Sequence, residues 1–431
     1  MKIRAFRGYR YGIGRVRDVS PVVAPPYDQI SPEMHGQLLA MDPSNIVRVT
    51  LPEGGMGVLS DGAPMSKGGT GANDAPGDKY ASAKLVLDRW IAQGVWQREE
   101  WPSIYAYHQT YTIGALSITR MGFVALGEVS DYARGEVLPH ERTHAGPKRD
   151  RLALLEATGA DIGLLFMLVG DPDGALVELV NPGGAPTAEA RDLKGEHHAL
   201  WRITDETVIA RVAAHLAQRP VIIADGHHRY ETAVEYARRN RAARDKLMAF
   251  FPLEGPGLTI LPNHRLVHGV RDFDLDRFLA AAERSFEVVP LAHPARFHAE
   301  NRRVAVVAGE RAATLRLRDD AFTQLPWPAR TSTAWRELAV SILHEGLLRP
   351  LLDITDEKLD AKTHVDYTAD QAEAIALARE GKYQAAFLIA PTTPAELQAV
   401  VRGGELMPQK STHFYPKLLD GLVFHRLDEV P

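Results

Sequence analysis

The sequence predicts an α/β (mixed α+β) fold, because short apolar runs alternate with amphipathic helical segments along the chain. The clearest pair is an apolar run at residues 221–224, typical of a strand buried on both faces, and a segment at 228–237 with helical apolar spacing. A second apolar run at 162–169 and a predicted helix at 205–218 precede this pair. Strands that alternate with helices in this way are typical of α/β domains.

The length of 431 residues predicts two or three domains. We predict an N-terminal α/β region over residues 1–130, a core over 131–260 that carries the strand and helix just described, and a C-terminal α/β region over 261–431. Residues 53–77 are rich in glycine and small polar residues without periodicity, which predicts a flexible surface insertion.

Within the first region, Ser31 and Pro32 predict the start of a helix, since serine caps helices and proline suits their first turn. Alternating apolar residues at 45–51 predict a half-buried strand. Two strands at 104–111 and 116–129, separated by a glycine-containing turn, predict a hairpin.

Further helices and strands are predicted by the same patterns. Residues 79–94 and 148–157 have the apolar spacing of amphipathic helices. The C-terminal region is predicted to contain helices at 273–286, 335–352 and 369–379, and strands within 303–315 and at 385–390.

Composition narrows the possible functions. The formal net charge of −5 argues against a protein whose main task is to coat nucleic acid or an anionic membrane. The chain contains no cysteine, which excludes disulfides, thiolate catalysis and cysteine-bound zinc. The N-terminal segment lacks the apolar stretch of a signal peptide, and no apolar run is long enough to span a bilayer. We therefore expect a cytoplasmic protein that acts on a small molecule, without membrane or nucleic-acid partners.

The strongest functional signal lies where the predicted strand meets the helix, at five residues that we call the joint: Asp225, Gly226, His227, His228 and Arg229. A helix N-terminus binds anions because its first N–H groups are unpaired and carry partial positive charge. Gly226 permits close approach of a ligand, and Arg229 can bind phosphate through two parallel hydrogen bonds. His227 and His228 can donate or carry protons, and Asp225 can hold a cation such as Mg²⁺. The structural alternative is that Asp225 only caps the helix and that the histidines lie on the surface.

Residues 140–144 match the H-E-x-x-H pattern of zinc peptidases, but prolines flank the segment on both sides. The zinc site requires both histidines one turn apart on a continuous helix, for which the prolines leave too little room. We therefore do not expect a zinc peptidase. Glu141 is a candidate general base and Lys148 a candidate phosphate partner, with an ordinary solvated connection as the alternative.

Four segments carry a resemblance to a known family: APPYDQIS, PHERTHAGPKRDRL, ADGHHRYETA and MPQKSTHFYPKL. In this order they resemble a large bacterial family catalogued as domain of unknown function 1015, over almost the whole chain. The strand, the D-G-H-x-R motif and the helix are also similar to the signature of the ParB/sulfiredoxin superfamily. This second resemblance implies a ParB/sulfiredoxin-like nucleotide-binding core with additional α/β domains.

The superfamily resemblance also implies what the joint binds. Its members bind nucleotide phosphates at the equivalent helix N-terminus, and some phosphorylate free L-serine with ATP or ADP as donor. By this resemblance the joint residues, Asp225 to Arg229, would hold the phosphates. Sulfiredoxin chemistry needs a cysteine in the motif, where this chain has His227, so that activity is excluded.

Together these observations predict a phosphotransferase that uses ATP or ADP with Mg²⁺ and acts on a small hydroxylated metabolite, free L-serine being one candidate. Asp225 would help to bind the Mg²⁺, and His228 with Arg229 would hold the phosphates. Either Glu141 or Asp28 would deprotonate the hydroxyl. The alternatives are a non-catalytic nucleotide or metabolite sensor, which would lack a working base, and a phosphohydrolase.

A polar stretch near the C-terminus adds three candidate phosphate-binding residues: Lys410, Ser411 and Thr412. They resemble a lid or a second phosphate clamp. An ordinary packing loop is the equal alternative.

Overall fold

The computed structural model describes residues 1–12, 16, 18–53, 78–143, 145–240 and 243–429. All of the predicted insertion except Glu53 lies outside the described residues. Helices and strands alternate along the chain, which confirms the predicted mixed α/β fold. The chain divides into two compact units: unit 1 is Met1–Leu258 with Pro416–Pro431, and unit 2 is Thr259–Tyr415.

Unit 1 begins with twelve strands and seven helices, in the following order: β1 Ile3–Arg4, β2 Tyr9–Tyr11, α1 Pro32–Met41, α2 Val47–Thr50, α3 Asp78–Ala92, β3 Trp96–Arg98, β4 Ile104–Ile113, β5 Leu116–Glu128, β6 Val137–Leu138, α4 Ala145–Thr158, β7 Ala160–Asp161, β8 Leu165–Val169, α5 Ala175–Leu179, β9 Ala188–Arg191, β10 His197–Ile203, α6 Glu206–Ala217, β11 Val221–Asp225, α7 His227–Arg239 and β12 Asp245–Pro252. These counts refer to the described residues alone. Short 3₁₀ turns lie at Tyr27–Gln29 and Tyr132–Arg134.

A mixed nine-stranded sheet forms the centre of unit 1. Its strand order is β6-β11-β8-β12-β5-β4-β10-β9, and β1 pairs with β5 outside this path. β11 pairs parallel to β6 and antiparallel to β8, so both of its edges are hydrogen-bonded. The first four residues of β11 are all buried, so both faces of the strand exclude water, which explains its continuous apolar run.

The core of unit 1 lies against this sheet. Val221 and Ile223 of β11 belong to one buried cluster with Met167 of β8 and Phe250 of β12. Tyr230 of α7 joins the same cluster, which fixes α7 against the sheet and places its first turn at the end of β11.

Unit 2 contains eight strands and eight helices among its residues, in the following order: β13 Thr259–Leu261, β14 His264–Val267, α8 Leu275–Ala282, β15 Phe286–Pro290, β16 Arg303–Ala308, β17 Arg311–Leu317, α9 Asp319–Phe322, α10 Thr333–Arg336, α11 Ala339–Leu343, α12 Arg349–Leu352, α13 Asp356–Asp360, β18 Val365–Thr368, α14 Gln371–Arg379, β19 Ala385–Leu388, α15 Pro394–Arg402 and β20 His413–Tyr415. A 3₁₀ turn lies at Pro294–Arg296 and a π-helical turn at His344–Leu348. Its main sheet has the order β15-β17-β16-β19-β14-β18, and β13 pairs with β20. The chain then returns to unit 1, where β21 (His425–Arg426) pairs with β7.

Several predicted elements are confirmed. The hairpin joins β4 to β5, with Ile113 opposite Leu116. The helix predicted at 148–157 lies within α4, and α6 begins after Asp205, whose side chain accepts from two backbone N–H groups.

Two predictions were wrong. Residues 45–51 do not form a strand, because the Asn45 side chain accepts from the Val47 N–H and starts the short helix α2, whose residues are buried on more than one face. The single helix predicted at 335–352 is divided into α10, α11, the π turn and α12. Pro350 follows that π turn and has no N–H to continue an α-helical hydrogen-bond pattern.

In the part of the chain that the structure describes, no helix combines the length and the apolar character that crossing a bilayer requires.

Candidate functional site

The joint is a tight turn between β11 and α7 that only glycine fits. Gly226 has φ +99° and ψ 27°, a left-handed conformation, and α7 begins directly after it at His227. A Cβ at this position would lie 2.7 Å from Leu165 Cδ2 and 3.1 Å from Arg229 Nε. Gly226 and His228 are half-buried, so the turn reaches solvent. The first turn of α7 is therefore accessible at the end where its N–H groups begin.

His227 lies in a chain of polar contacts that ends on Glu141. The backbone N–H of His140 donates to His227 Nε2 over 3.2 Å, and His227 Nδ1 lies 3.3 Å from Glu141 Oε1. Because Nε2 accepts a hydrogen bond from the His140 N–H, the neutral ring carries its own proton on Nδ1, the atom that faces Glu141. The Glu141 side chain is 35% exposed, whereas that of His227 is 1% exposed. The partly exposed Glu141 carboxylate therefore lies beside a buried histidine at the joint.

His140 completes this arrangement. Its Nδ1 lies 2.6 Å from the carbonyl oxygen of Ile223, and its ring meets the His227 ring edge-on at 4.6 Å between centroids. Burial, with a smaller effect from His227, lowers the pKa of His140 to about 4. His140 is therefore neutral at ordinary pH and ties residue 140 to β11.

Among the described residues, His140, Glu141 and His227 form a group whose ligand atoms lie within 4.8 Å of one another, close enough for a metal ion. A metal on His227 Nδ1 would move the ring proton to Nε2, where it would face the His140 N–H donor. Two donors would then oppose each other, so these residues do not fit a metal in this arrangement. The described residues 140–143 are also not helical, since α4 begins at Ala145, which confirms that the helix of a zinc peptidase does not form here.

Arg229 and Asp225 form a charged pair beneath the joint. Arg229 Nη2 lies 3.2 Å from Asp225 Oδ2, and Nη1 donates to the carbonyl oxygen of Leu164 over 2.6 Å. Lys417 Nζ lies 3.5 Å from Asp225 Oδ1. Burial disfavours the charged form of Asp225, but Lys417 and then Arg229 hold its pKa below the ordinary value. Both oxygens of the predicted Mg²⁺ ligand therefore face cations of the chain.

A cavity of about 580 Å³ lies along α7 and α4. Lys148, the predicted phosphate partner, lines it and donates to Glu231 Oε2 over 2.7 Å. The Thr143 hydroxyl donates to the same oxygen over 2.8 Å. The volume is within the range of small-molecule sites, about 300–1,000 Å³.

A smaller cavity of about 70 Å³ is lined by Arg229, Lys246 and Asp420 among other residues. Asp28, in the 3₁₀ turn at Tyr27–Gln29, interacts electrostatically with Arg229 and Asp420. The two candidate bases are therefore in different places: Glu141 contacts His227, and Asp28 lies towards the smaller cavity.

Four charged residues near the joint escaped sequence analysis: Asp161, Lys246, Lys417 and Asp420. Lys246 is 5% exposed in strand β12, directly before an apolar run at 247–252, and it pairs with Asp161. A lysine in a buried strand is costly unless it is paired, so its position was a usable signal. Lys417 and Asp420 lie almost 200 residues from the joint in sequence, and no local pattern connects them to it.

A family model described as a protein of unknown function, DUF1015, matches residues 3–341. The match covers more than half of the chain and includes the joint, Glu141 and Lys148. The chain belongs to the DUF1015 family. This confirms the resemblance carried by the sequence motifs. No curated protein matches the chain.

In this DUF1015 chain the 410–412 loop lies beyond the matched span and belongs to unit 2. Its carbonyl oxygens are bound inside that unit: Asn263 Nδ2 donates to Lys410 O over 3.0 Å and to Thr412 O over 3.1 Å. The Thr392 hydroxyl donates to Ser411 O over 2.9 Å. These hydrogen bonds hold the backbone of the loop within unit 2. Its role as a phosphate clamp stays a prediction.

Solved structures similar to this DUF1015 chain are distant from it. A conserved hypothetical protein from Pyrococcus furiosus is 14% identical, with a TM-score of 0.35 and coverage of 68% of this chain and 93% of its own. A free serine kinase in complex with AMP is 13% identical, with a TM-score of 0.35 and coverage of 65% and 83%. SbnI from Staphylococcus aureus is 11% identical, with a TM-score of 0.36 and coverage of 69% and 85%. Similarity at this level is too low to indicate a function for this chain.

Proposed function

We propose that this protein is a nucleotide-dependent phosphotransferase that phosphorylates a small hydroxylated metabolite. The observation that carries the proposal is the solvent-accessible Gly226 turn at the start of the 13-residue helix α7, with the Glu141 carboxylate beside it. A helix N-terminus stabilises the charge of phosphate oxygens, and a nearby carboxylate can accept the proton of an attacking hydroxyl.

In this proposal the phosphates bind at the first turn of α7. His228 is half-buried there, and Lys417 lies within 3.5 Å of Asp225 with its side chain 18% exposed. Lys417 would turn from Asp225 Oδ1 to a phosphate, and Arg229 would still compensate Asp225 at Oδ2. Arg229 would contribute mainly its positive charge, because its guanidinium is already bonded to Asp225 and to the carbonyl oxygen of Leu164.

Mg²⁺ fits this site as a companion of the nucleotide. It binds proteins through one or two carboxylates together with substrate phosphates and water. Asp225 would be the protein carboxylate that binds the ion, and it would become available once Lys417 moves to the phosphates. Bound there, the ion would supply neutralisation of charge on the phosphate oxygens.

The reaction transfers one phosphoryl group to the acceptor hydroxyl. The acceptor oxygen forms a bond to the terminal phosphorus, and the bond from that phosphorus to the leaving nucleotide breaks, giving ADP from ATP or AMP from ADP. In this proposal the hydroxyl proton goes to Glu141, which lies beside His227. Asp28 is the second candidate for this base, because it lies near Arg229 and Asp420.

In this proposal the nucleoside lies in the cavity of about 580 Å³ along α7 and α4. Tyr230 and Tyr132, which line the cavity, stack on each other at 5.5 Å between ring centroids and offer an apolar wall. Lys148 and Glu231 line the same cavity close to the first turn of α7. This supports a nucleotide that extends from the joint along the helix.

The test is to incubate the protein with ATP or ADP, Mg²⁺ and a panel of small hydroxylated metabolites that includes L-serine, glycerol and glycerate. Mass spectrometry should then detect one phosphorylated acceptor, in an amount equal to the nucleotide consumed. Glu141→Gln should lower its rate by about 100- to 10,000-fold, the usual contribution of a general base. Asp28→Asn serves as the discriminating variant, because the larger loss identifies the base.

Two outcomes would overturn the proposal. Nucleotide binding without any phosphorylated product would indicate a sensor. Release of inorganic phosphate without an acceptor would indicate a phosphohydrolase.

A further inference from the structure

The smaller cavity of unit 1 differs from the joint in its charge balance. It has a volume of about 70 Å³ and is lined by Arg151, Arg229, Lys246, Asp161 and Asp420 among other residues. At about 10–15 Å³ for each water-sized group, it has room for roughly five to seven such groups. The space therefore suits a very small polar molecule.

Each cation on the cavity wall already has a carboxylate partner. Arg151 bonds to Asp150, and Lys246 bonds to Asp161 and, over 2.8 Å, to the carbonyl oxygen of Gly163. Arg229, as described above, is paired with Asp225. The wall cations are thus compensated by groups of the protein.

Asp420 differs from the other wall carboxylate, because among the described residues it forms no ion pair within 4 Å, although Arg229 and Lys246 attract it from farther away. It is 3% exposed, and its carboxylate interacts with the Leu164 backbone, but its Oδ1 is buried and has no hydrogen-bond partner among the described residues. Asp28 lies near enough to add to the negative charge. Burial outweighs the attraction of Arg229 and Lys246 and raises the pKa of Asp420 to about 7. An unpaired buried carboxylate is costly, so this position calls for a donor that carries positive charge.

We propose that this cavity binds a small molecule through a primary ammonium group that donates to Asp420. An ammonium group brings one positive charge and three donors, which matches one carboxylate with an unpaired oxygen. A divalent metal is disfavoured because it needs several oxygen ligands, and the other carboxylate on this wall, Asp161, is already bonded to Lys246.

The cavity and the joint share Arg229, which lines the cavity and bonds to Asp225 immediately before Gly226. A ligand held at Asp420 is therefore close to the predicted phosphate site. The acceptor of the phosphotransferase is then an amino alcohol or a hydroxy amino acid, a statement that rests on the proposed function. Binding of the amine does not depend on turnover.

The experiment is calorimetric titration of the full chain, without nucleotide, using ethanolamine and ethylene glycol as probes. The two molecules have the same size and share a hydroxyl, but only ethanolamine carries an ammonium group. Ethanolamine should bind at least ten times more tightly than ethylene glycol. Equal affinity for both probes, or no binding of ethanolamine, would overturn the inference.

Two variants test the assignment to Asp420. Asp420→Asn should reduce ethanolamine affinity at least tenfold, whereas Asp173→Asn, at an exposed position of unit 1, should leave it unchanged. Gly163→Ala keeps every charge but places a methyl group 3.3 Å from Arg229 Nη1 and 3.9 Å from Asp420 Oδ1. It should therefore also weaken ethanolamine binding, and it tests the site even if Asp420→Asn does not fold. Wild-type affinity in either variant contradicts the assignment.

The metabolite panel separates this inference from the proposed function. If glycerol or glycerate is phosphorylated while ethanolamine does not bind, the phosphotransferase stands and the ammonium site fails. If ethanolamine binds at Asp420 but nothing is phosphorylated, the ammonium site stands and the phosphotransferase fails.

Discussion

Arg229 in unit 1 and Arg265 in unit 2 are both buried, at 8% and 0% exposure, but their partners differ. Arg229 pairs with the carboxylate of Asp225. Arg265 donates to main-chain carbonyl oxygens, including that of Lys410 over 3.2 Å. Burial lowers the pKa of Arg265 to about 10, whereas for Arg229 burial is outweighed by Asp225 and further acidic groups, and its pKa is raised.

This comparison separates two kinds of polar segment that look alike in sequence. The joint and the 410–412 loop are both dense in donors and positive charge. At the joint the positive charge meets acidic side chains around a turn that reaches solvent, as expected for a site that binds charged ligands. In the loop, Arg265 and Asn263 use their donors to hold the backbone in place.

The largest effect is expected for Arg229→Ala. Removing this side chain leaves the buried Asp225 without its closest cation and the Leu164 carbonyl without its donor. Loss of one partner of a buried ion pair costs about 3–5 kcal/mol in the free energy of unfolding. Urea unfolding should detect it, and Arg229→Lys should recover part of the loss. A cost below about 1 kcal/mol would mean that the pair is solvated like a surface ion pair.

Gly226→Ala should cost roughly 2–4 kcal/mol, because it combines a left-handed residue with overpacking against Leu165. Gly36→Ala in α1 is the matched control, since a Cβ there meets nothing within 4 Å. That change should stabilise the protein by about 0.5–1 kcal/mol. Equal thermal midpoints for the two variants would show that the joint tolerates a side chain.

Arg265→Ala tests the role of the buried arginine in unit 2. It leaves neutral carbonyl oxygens, including that of Lys410, without a donor, but no buried carboxylate. The expected cost is about 1–3 kcal/mol in urea unfolding, less than for Arg229→Ala. If Arg265→Ala proved the more damaging of the two, the distinction between a charged network and a backbone support would be wrong.

The pH dependence of stability should carry the signature of Asp420. Its pKa in the folded protein is about 7, above the unfolded value of about 3.9. The folded state therefore holds a proton that the unfolded state releases, and this stabilisation is lost as pH rises from about 4 to 7. The slope should not exceed about 1.4 kcal/mol per pH unit. Asp420→Asn should remove this part of the pH dependence. If the free energy of unfolding in urea fell equally steeply between pH 4.5 and 8 in the wild type and in Asp420→Asn, the assignment to Asp420 would be wrong.

The smallest effect is expected at Lys410, which is the loop counterpart of Gly226 because its φ is +56°. Lys410→Gly relieves the left-handed conformation but adds flexibility to the unfolded chain. The two contributions oppose each other, so thermal unfolding should change by less than about 1 kcal/mol. A larger loss would indicate that the Lys410 side chain itself supports the loop.

The local elements of the site could be predicted from sequence, and the distant ones could not. The apolar run of β11, the glycine turn and the spacing of α7 are encoded within some twenty consecutive residues. The contact of His140 and Glu141 with His227 joins segments more than 80 residues apart. Its geometry depends on which nitrogen of the His227 ring accepts the hydrogen bond from the His140 N–H. Asp420 lies in the same cavity as Arg229 because the chain returns to unit 1 after residue 415, and no sequence periodicity indicates this return.

The central claim is that the first turn of α7 binds nucleotide phosphates. The most direct measurement is calorimetric titration of ATP and ADP, each with Mg²⁺, into the wild-type protein and into Lys417→Ala and Lys410→Ala. The account predicts binding to the wild type, a loss of about ten- to a hundredfold in Lys417→Ala, and an unchanged affinity in Lys410→Ala. Absence of binding to the wild type, or equal affinity in Lys417→Ala, would contradict it. A comparable loss in Lys410→Ala would instead establish the loop as a second phosphate clamp.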